Sequence, residues 1–128
     1  MAVQAVTREI ARNEWFEFFD GFSRRHDGWL VTIEILDKDV GHQIEAENQK
    51  LKGIVAEPRH DPTTIDILIG NSPDGGSTHI IDRPTRVRVE ETREGAEGAL
   101  EIESKDHGTT LVRFRSSALP ESVNGVAR

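Results

Sequence analysis

The sequence predicts an α+β fold, in which one amphipathic helix near the N-terminus packs on a curved antiparallel sheet of about seven strands. Apolar residues repeat with the helical period over residues 14–26 and with a period of two over residues 29–115. Turn-forming residues interrupt the second region at short intervals. With 128 residues and no internal repeat or linker, the chain is expected to form a single domain, 1–128. Closure of the sheet into a small barrel is an open alternative.

The helix is predicted over residues 14–26. Asn13 is a favoured N-cap residue, and the basic residues that precede Gly28 suit a helix C-terminus. One apolar stripe has the i, i+3, i+4, i+7 spacing and consists of Trp15, Phe18, Phe19 and Phe22. A single helix beside a sheet normally buries such a stripe in the core. Phe16 lies off the stripe, and an exposed Phe16 would mark an interaction surface.

The strands are predicted from alternation between turns. An extended segment at 7–12 precedes the helix, and the strands after it are 29–36, 43–48, 51–56, 65–69, 78–81, 86–90, 99–104 and 109–115. Segment 43–48 is more polar than the others, which indicates an edge strand. Residues 116–128 are expected to form an extended tail.

The last two strands are predicted to form a hairpin. Its loop places Gly108 in the left-handed conformation that such a hairpin requires. The register that follows pairs Lys105 with Thr109, Ile102 with Val112, Leu100 with Phe114 and Glu101 with Arg113. The last pair sets opposite charges across the ladder, a contribution of about 0.2–1 kcal/mol.

Composition limits the classes of function. The chain has no cysteine, which excludes disulfides, thiolate metal sites and a cysteine nucleophile. The formal charge of −7 disfavours nucleic acids and anionic membranes as partners, because their phosphates would be repelled on average. The N-terminus lacks the pattern of a signal peptide, and no apolar run is longer than three residues, the length of 67–69, which is too short to span a membrane. A cytoplasmic location is therefore expected.

Three groups of motifs are specific in combination and cover nearly the whole chain. They are 7–10 (TREI), 14–15 (EW) and 18–20 (FFD) running into 28–32 (GWLVT); 78–82 (THIID) with 84–88 (PTRVR); and 99–104 (ALEIES) with 113–116 (RFRS) and 119–120 (LP). Together they resemble a family of small bacterial proteins known only as a domain of unknown function. The resemblance implies a shared fold, and it assigns no activity and no catalytic or binding residue.

No metal or cofactor site is predicted. The five histidines, which include no pair at the i, i+4 spacing of a zinc-binding helix, are His26, His42, His60, His79 and His107. His60 with Asp61, and His79 with Asp82, each offer two ligands at a spacing that turns also explain. The glycine-rich segment 70–77 lacks the lysine and the following helix of a P-loop, so a plain hairpin loop is favoured.

An arginine stripe is predicted on the outer face of neighbouring strands, from Arg86, Arg88, Arg113 and Arg115. Guanidinium groups in such a stripe can bind carboxylate or phosphate bidentately. Equal numbers of acidic residues alternate with them, however, and this favours a ladder of surface ion pairs.

The leading hypothesis is a non-catalytic binding or interaction module. Its partner would be a small ligand or a protein, and a homodimer is an open alternative. The candidate ligand-binding residues are His79, Asp82, Arg86 and Arg88, and no catalytic residue is predicted. Two alternatives are a small enzyme with His79, Asp82 and an arginine at a barrel mouth, and a nucleic-acid-binding protein that uses the arginine stripe.

Overall fold

Eight strands and one α-helix form the part of the chain that the computed structural model describes, which is residues 5–57, 63–71, 75–92, 97–105 and 108–115. The strands are β1 (Ala5–Ile10), β2 (Leu30–Asp37), β3 (Gly41–Glu57), β4 (Thr64–Ile69), β5 (Ser77–Asp82), β6 (Pro84–Thr92), β7 (Glu97–Ser104) and β8 (Gly108–Arg115). A 3-10 turn at Arg12–Glu14 leads into α1, Trp15–Arg25. The predicted tail 116–128, His60 with Asp61, and His107 lie outside the described residues.

The strands form one antiparallel sheet in the order β1-β6-β7-β8-β2-β3-β4-β5. The predicted class, one helix with an antiparallel sheet, is confirmed. The barrel alternative is wrong, because β1 and β5 are the two ends of the sheet and do not pair with each other. β5 leads directly into β6, but β6 already has β1 and β7 as its two neighbours. Inner side chains of β2, β4 and β6 nevertheless share one buried cluster, so the sheet curves around a single core.

The long strand β3 replaces two predicted strands, 43–48 and 51–56. Its first half pairs with β2 and its second half pairs with β4. Asn48, with φ of 53°, and a register irregularity after Leu51 mark the point at which the partner changes. Among the described residues, the first half of β3 pairs with β2 on one side and with no strand on the other. This half therefore resembles an edge strand, as predicted for 43–48.

The final hairpin has a different register from the predicted one. Leu100 lies opposite Val112, and Ala99, not Glu101, lies opposite Arg113, a shift of two residues that keeps every side chain on its predicted face. Gly108 has the predicted left-handed φ, 67°, but pairs with Ser104 as part of β8. The side-chain pattern does not distinguish the two registers, because a shift of two residues leaves every face unchanged. β8 also pairs with β2, where a Cβ on Gly108 would lie 2.3 Å from the carbonyl oxygen of Leu36, so this position requires glycine.

The helix packs on the core through the predicted stripe. Phe19 and Phe22 are fully buried, Trp15 is buried and donates its indole N–H to the carbonyl of Ile10, and Phe18 packs at the margin. The predicted cap is wrong, because Asn13 lies in the 3-10 turn and Glu14 occupies the N-cap position without a side-chain hydrogen bond.

The hydroxyl of Ser23 fastens α1 to the edge of β3. Ser23 Oγ donates to the carbonyl of Ile54 (3.0 Å) and accepts from its backbone N–H (2.8 Å). These backbone groups point away from β4, toward a side of β3 that β2 does not reach. The helix therefore covers the edge of β3 that its strand partners leave open.

Candidate functional site

A cleft of about 570 Å³ lies between the first half of β3 and the start of β5. We call it the β3–β5 cleft. Three apolar residues form its floor: Ile33, Ala46 and Ile69. Six residues with polar groups form its rim: Glu45, Glu47, Gln49, Ser77, Thr78 and His79.

The cleft exists because β4 is shorter than β3. Pairing between them stops at Leu51 and Ile69, while β3 continues without β4 beside it. Two hydrogen bonds with the backbone of Lys50 fix this end of the ladder. The N–H of Gly70 donates to the carbonyl of Lys50 (2.9 Å), and the N–H of Lys50 donates to Asn71 Oδ1 (3.0 Å). β5 begins at Ser77, and among the described residues no strand lies beside the first half of β3 on the side where β4 ends.

Of the four predicted ligand-binding residues, His79 is the one that lines the cleft. It is half-buried opposite Ile67 in β4. Asp82, three residues along the same strand, has its side chain on the other face of the sheet. The carbonyl of Asp82 accepts a hydrogen bond from Ser104 Oγ (2.9 Å).

Arg86 and Arg88 lie on the outer face of β6 and are not brought to His79. Arg86 Nε lies 3.7 Å from Glu9 Oε2 on β1. Arg88 Nη1 donates to Glu103 (2.7 Å) and also contacts Glu101 (3.4 Å), both on β7. The hydrogen bond to Glu103 is the main reason why the pKa of Arg88 is raised. Carboxylates therefore already occupy both guanidinium groups.

The same outer face carries a second ion-pair group on β2, β3 and β8. The Glu34 carboxylate accepts hydrogen bonds from Arg113 Nε (3.0 Å) and from His42 Nε2 (2.7 Å). The hydrogen bond from His42, followed by that from Arg113, lowers the pKa of Glu34. The arginine stripe is thus interleaved with acids, the arrangement that the sequence favoured.

His26 is one of the basic residues before Gly28 that were predicted only to suit the helix C-terminus, and the structure shows that it is buried. It is 4% exposed, and its ring lies 4.2 Å from that of Phe22, 4.6 Å from Trp29 and 4.9 Å from Phe114, centroid to centroid. Nδ1 hydrogen-bonds the carbonyl of Phe22 (3.0 Å), and Nε2 lies 3.5 Å from Glu97. Burial lowers the pKa of His26, although the Phe22 carbonyl and Glu97 oppose the shift.

A sequence signal for this burial existed. His26 follows Phe22 by four residues, so it continues the apolar stripe of the helix. The rim residues of the cleft had no comparable signal, because β3 and β5 are separated along the chain by β4 and two connections.

A second concavity lies beside the helix, where Phe16 is 54% exposed. An exposed Phe16 is the feature that was predicted to mark an interaction surface. A groove of about 450 Å³ runs between Phe16, Trp15 and Ala56. Its main cation, Arg12, donates to the carbonyl of Pro84 (3.2 Å) and lies 4.7 Å from the ring of Trp15. The charge of Arg12 is therefore already engaged within the protein.

Within the described ranges, no group of three or more His, Cys, Asp or Glu residues is placed to hold a metal ion. No helix among these residues is long and apolar enough to cross a membrane.

Comparison with known proteins gives a family and no activity. Residues 6–122 match the model of a family of unknown function, DUF5335. The chain belongs to this family. A relative from Aquifex aeolicus (strain VF5), described as an uncharacterized protein, is 28% identical over 117 residues, which cover 91% of this chain and 99% of the relative. No solved structure matches the chain. The family resemblance in the sequence motifs is thereby confirmed.

Proposed function

We propose that this DUF5335 protein is a non-catalytic binding module that holds a small organic ligand in the β3–β5 cleft. The observation that carries the proposal is the combination, in one concavity of about 570 Å³, of an apolar floor and a ring of hydrogen-bonding groups. Ligand sites typically have this composition: apolar area supplies affinity, and a few polar groups fix orientation.

The rim favours a ligand with hydrogen-bond donors or a positive charge. Glu45, Glu47 and Gln49 are among the lining residues, and no lysine or arginine is among the described residues that line the cleft. The overall charge of −7 adds to the attraction for a cation. A primary amine or guanidinium with a short apolar chain fits both the rim and the Ile33 and Ile69 floor.

A catalytic role has less support because the cleft residues match no nucleophile motif. Ser77 and His79 share a face of β5, but Ser77 does not lie in a GxSxG nucleophile elbow. The arginine that the enzyme hypothesis required is paired with Glu9 on the outer face.

Nucleic-acid binding has less support for a related reason. Three of the four arginines proposed for it, Arg86, Arg88 and Arg113, are paired with carboxylates of β1, β7 and β2, so their contact with phosphate would first have to break those pairs. The surface that remains on that face has mixed charge.

The test is a fragment screen followed by amide chemical-shift mapping on the full chain. Aliphatic amines and guanidines are expected to bind and to shift the amides of Ala46, Ile69 and His79, whereas carboxylates of the same length do not bind. Fragments that shift only residues beside Phe16, or no fragment binding at all, would refute the proposal.

A pair of matched variants tests the chemistry of the rim. Glu45→Gln with Glu47→Gln removes two charges at the cleft and is expected to weaken amine binding roughly tenfold, which is about 1.4 kcal/mol. Glu14→Gln with Glu17→Gln makes the same change of net charge on the exposed face of the helix region. Equal weakening by both pairs would indicate long-range charge attraction in place of a site.

A further inference from the structure

Among the described residues, β4 is the strand that pairs with β5, and no described strand pairs with the outer edge of β5. The N–H of Arg83 donates to the carbonyl of Thr63 (3.2 Å), so residues 63 and 83 form a hydrogen-bonded pair in the β4–β5 register. Such pairs alternate along an antiparallel ladder, so the N–H and C=O groups of Thr78 and Ile80 point away from β4. The bond from Ser104 to the Asp82 carbonyl agrees with this assignment.

This edge lacks the features that normally protect an edge strand. Residues 77–81 contain no proline and no acidic, lysine or arginine side chain, and their ladder with β4 has no register shift. Ile80 is 51% exposed. By contrast β1, at the other end of the sheet, carries Arg8 and Glu9. An open, uncharged strand edge is a template for pairing with another strand.

We propose that β5 pairs with β5 of a second copy of this chain, antiparallel and about a twofold axis through His79. Thr78 of each copy then faces the partner's Ile80, and these are the residues whose backbone groups point outward. Each of the two pairs exchanges both of its hydrogen bonds, and each exposed Ile80 side chain packs on the partner's Thr78. The sheets of the two copies become continuous.

A second copy fits the edge better than an unrelated strand because the edge complements itself. In this register Asp82 of each copy lies opposite the partner's Gly76, so no like charges meet across the new ladder. Two chains that each carry −7 repel one another in general, and contact is least opposed where both present an uncharged strand. Pairing with a strand from a different protein is an outcome that the test separates.

The pairing also changes the β3–β5 cleft. His79 of each copy lies at the axis, with the two Cα atoms about 4.5 Å apart as in a non-hydrogen-bonded pair. Both His79 side chains lie on the cleft side of β5, so each copy contributes a histidine to the boundary of the other's cleft. The dimer does not depend on the ligand proposed above, and either proposal can fail alone.

The first test is the oligomeric state of the full chain by light scattering and sedimentation. The wild type is expected at twice the chain mass, with dissociation on dilution, and Ile80→Lys is expected as a monomer. Val6→Lys is the matched control, because Val6 is 52% exposed on the opposite edge strand β1. Circular dichroism and the unfolding midpoint verify that each variant folds.

The second test fixes the register. The chain has no cysteine, so His79→Cys places a single thiol at the proposed axis, where the Cα separation suits a disulfide. Mild oxidation is expected to crosslink this variant and to leave Val6→Cys monomeric on a denaturing gel. A monomeric wild type, a dimer that survives Ile80→Lys, or a dimer whose His79→Cys variant does not crosslink would overturn the proposal.

Discussion

Replacing Ser23 by alanine tests the attachment of the helix to the edge of β3. The hydroxyl satisfies both backbone groups of Ile54, at 3.0 and 2.8 Å, in a partly buried position. Leaving such groups without a partner costs about 1–3 kcal/mol. Alanine recovers about 0.5 kcal/mol through its better helix propensity. The expected net loss in the free energy of unfolding is therefore about 0.5–2.5 kcal/mol, or a fall in Tm of roughly 2–9 °C.

Urea unfolding followed by circular dichroism, with calorimetry for Tm, measures this loss. Ser23→Thr keeps the hydroxyl and should recover most of the stability. Asp20→Ala is the control on the same helix, since it removes only the exposed pair between Asp20 and Arg24 and is expected to change stability by less than about 0.5 kcal/mol. If Ser23→Ala lowers the free energy of unfolding no more than Asp20→Ala does, water replaces the hydroxyl and the contact does not hold the helix to β3.

Two further predictions use the same unfolding assay. Because burial lowers the pKa of His26, the unfolded chain takes up a proton more readily than the folded one, so stability should fall as pH drops through about 6.5. His26→Gln should flatten this fall, and an unchanged pH profile would contradict the assignment. Gly108→Ala should cost at least about 2 kcal/mol, because φ is 67° and the new Cβ would meet the Leu36 carbonyl at 2.3 Å. Gly98→Ala, where no atom lies within 4 Å, should be nearly neutral, and equal effects would refute the steric argument.

Patterns with a local cause were predicted well. The helix stripe of Trp15, Phe19 and Phe22 is buried, and the helix ends within one residue of the predicted position. The left-handed Gly108 follows from turn chemistry. In each case the physical cause acts within about one turn of helix or one hairpin loop, so the necessary residues are adjacent in the sequence.

The candidate site was predicted only by face. Alternation along the strands places Arg86 and Arg88 outward and His79 on the side of Ile81, as the structure has them. The alternation does not indicate that Arg88 donates a hydrogen bond to Glu103, or that Glu45 and Glu47 lie across a cleft from His79. These contacts join strands that are distant in the chain, and a side-chain period carries no information about which strand lies beside which.

The sequence by itself determined the helix, the antiparallel strands and the inward or outward face of most side chains, because periodicity records local geometry. Only the tertiary structure decided the strand order, the two-residue shift of the last hairpin and the pairing of β3 with both β2 and β4. A shift of two residues leaves every side chain on the same face, so the hydrophobic pattern is identical in both registers. The sequence pattern therefore does not choose between them, whereas the assembled sheet has Leu100 opposite Val112.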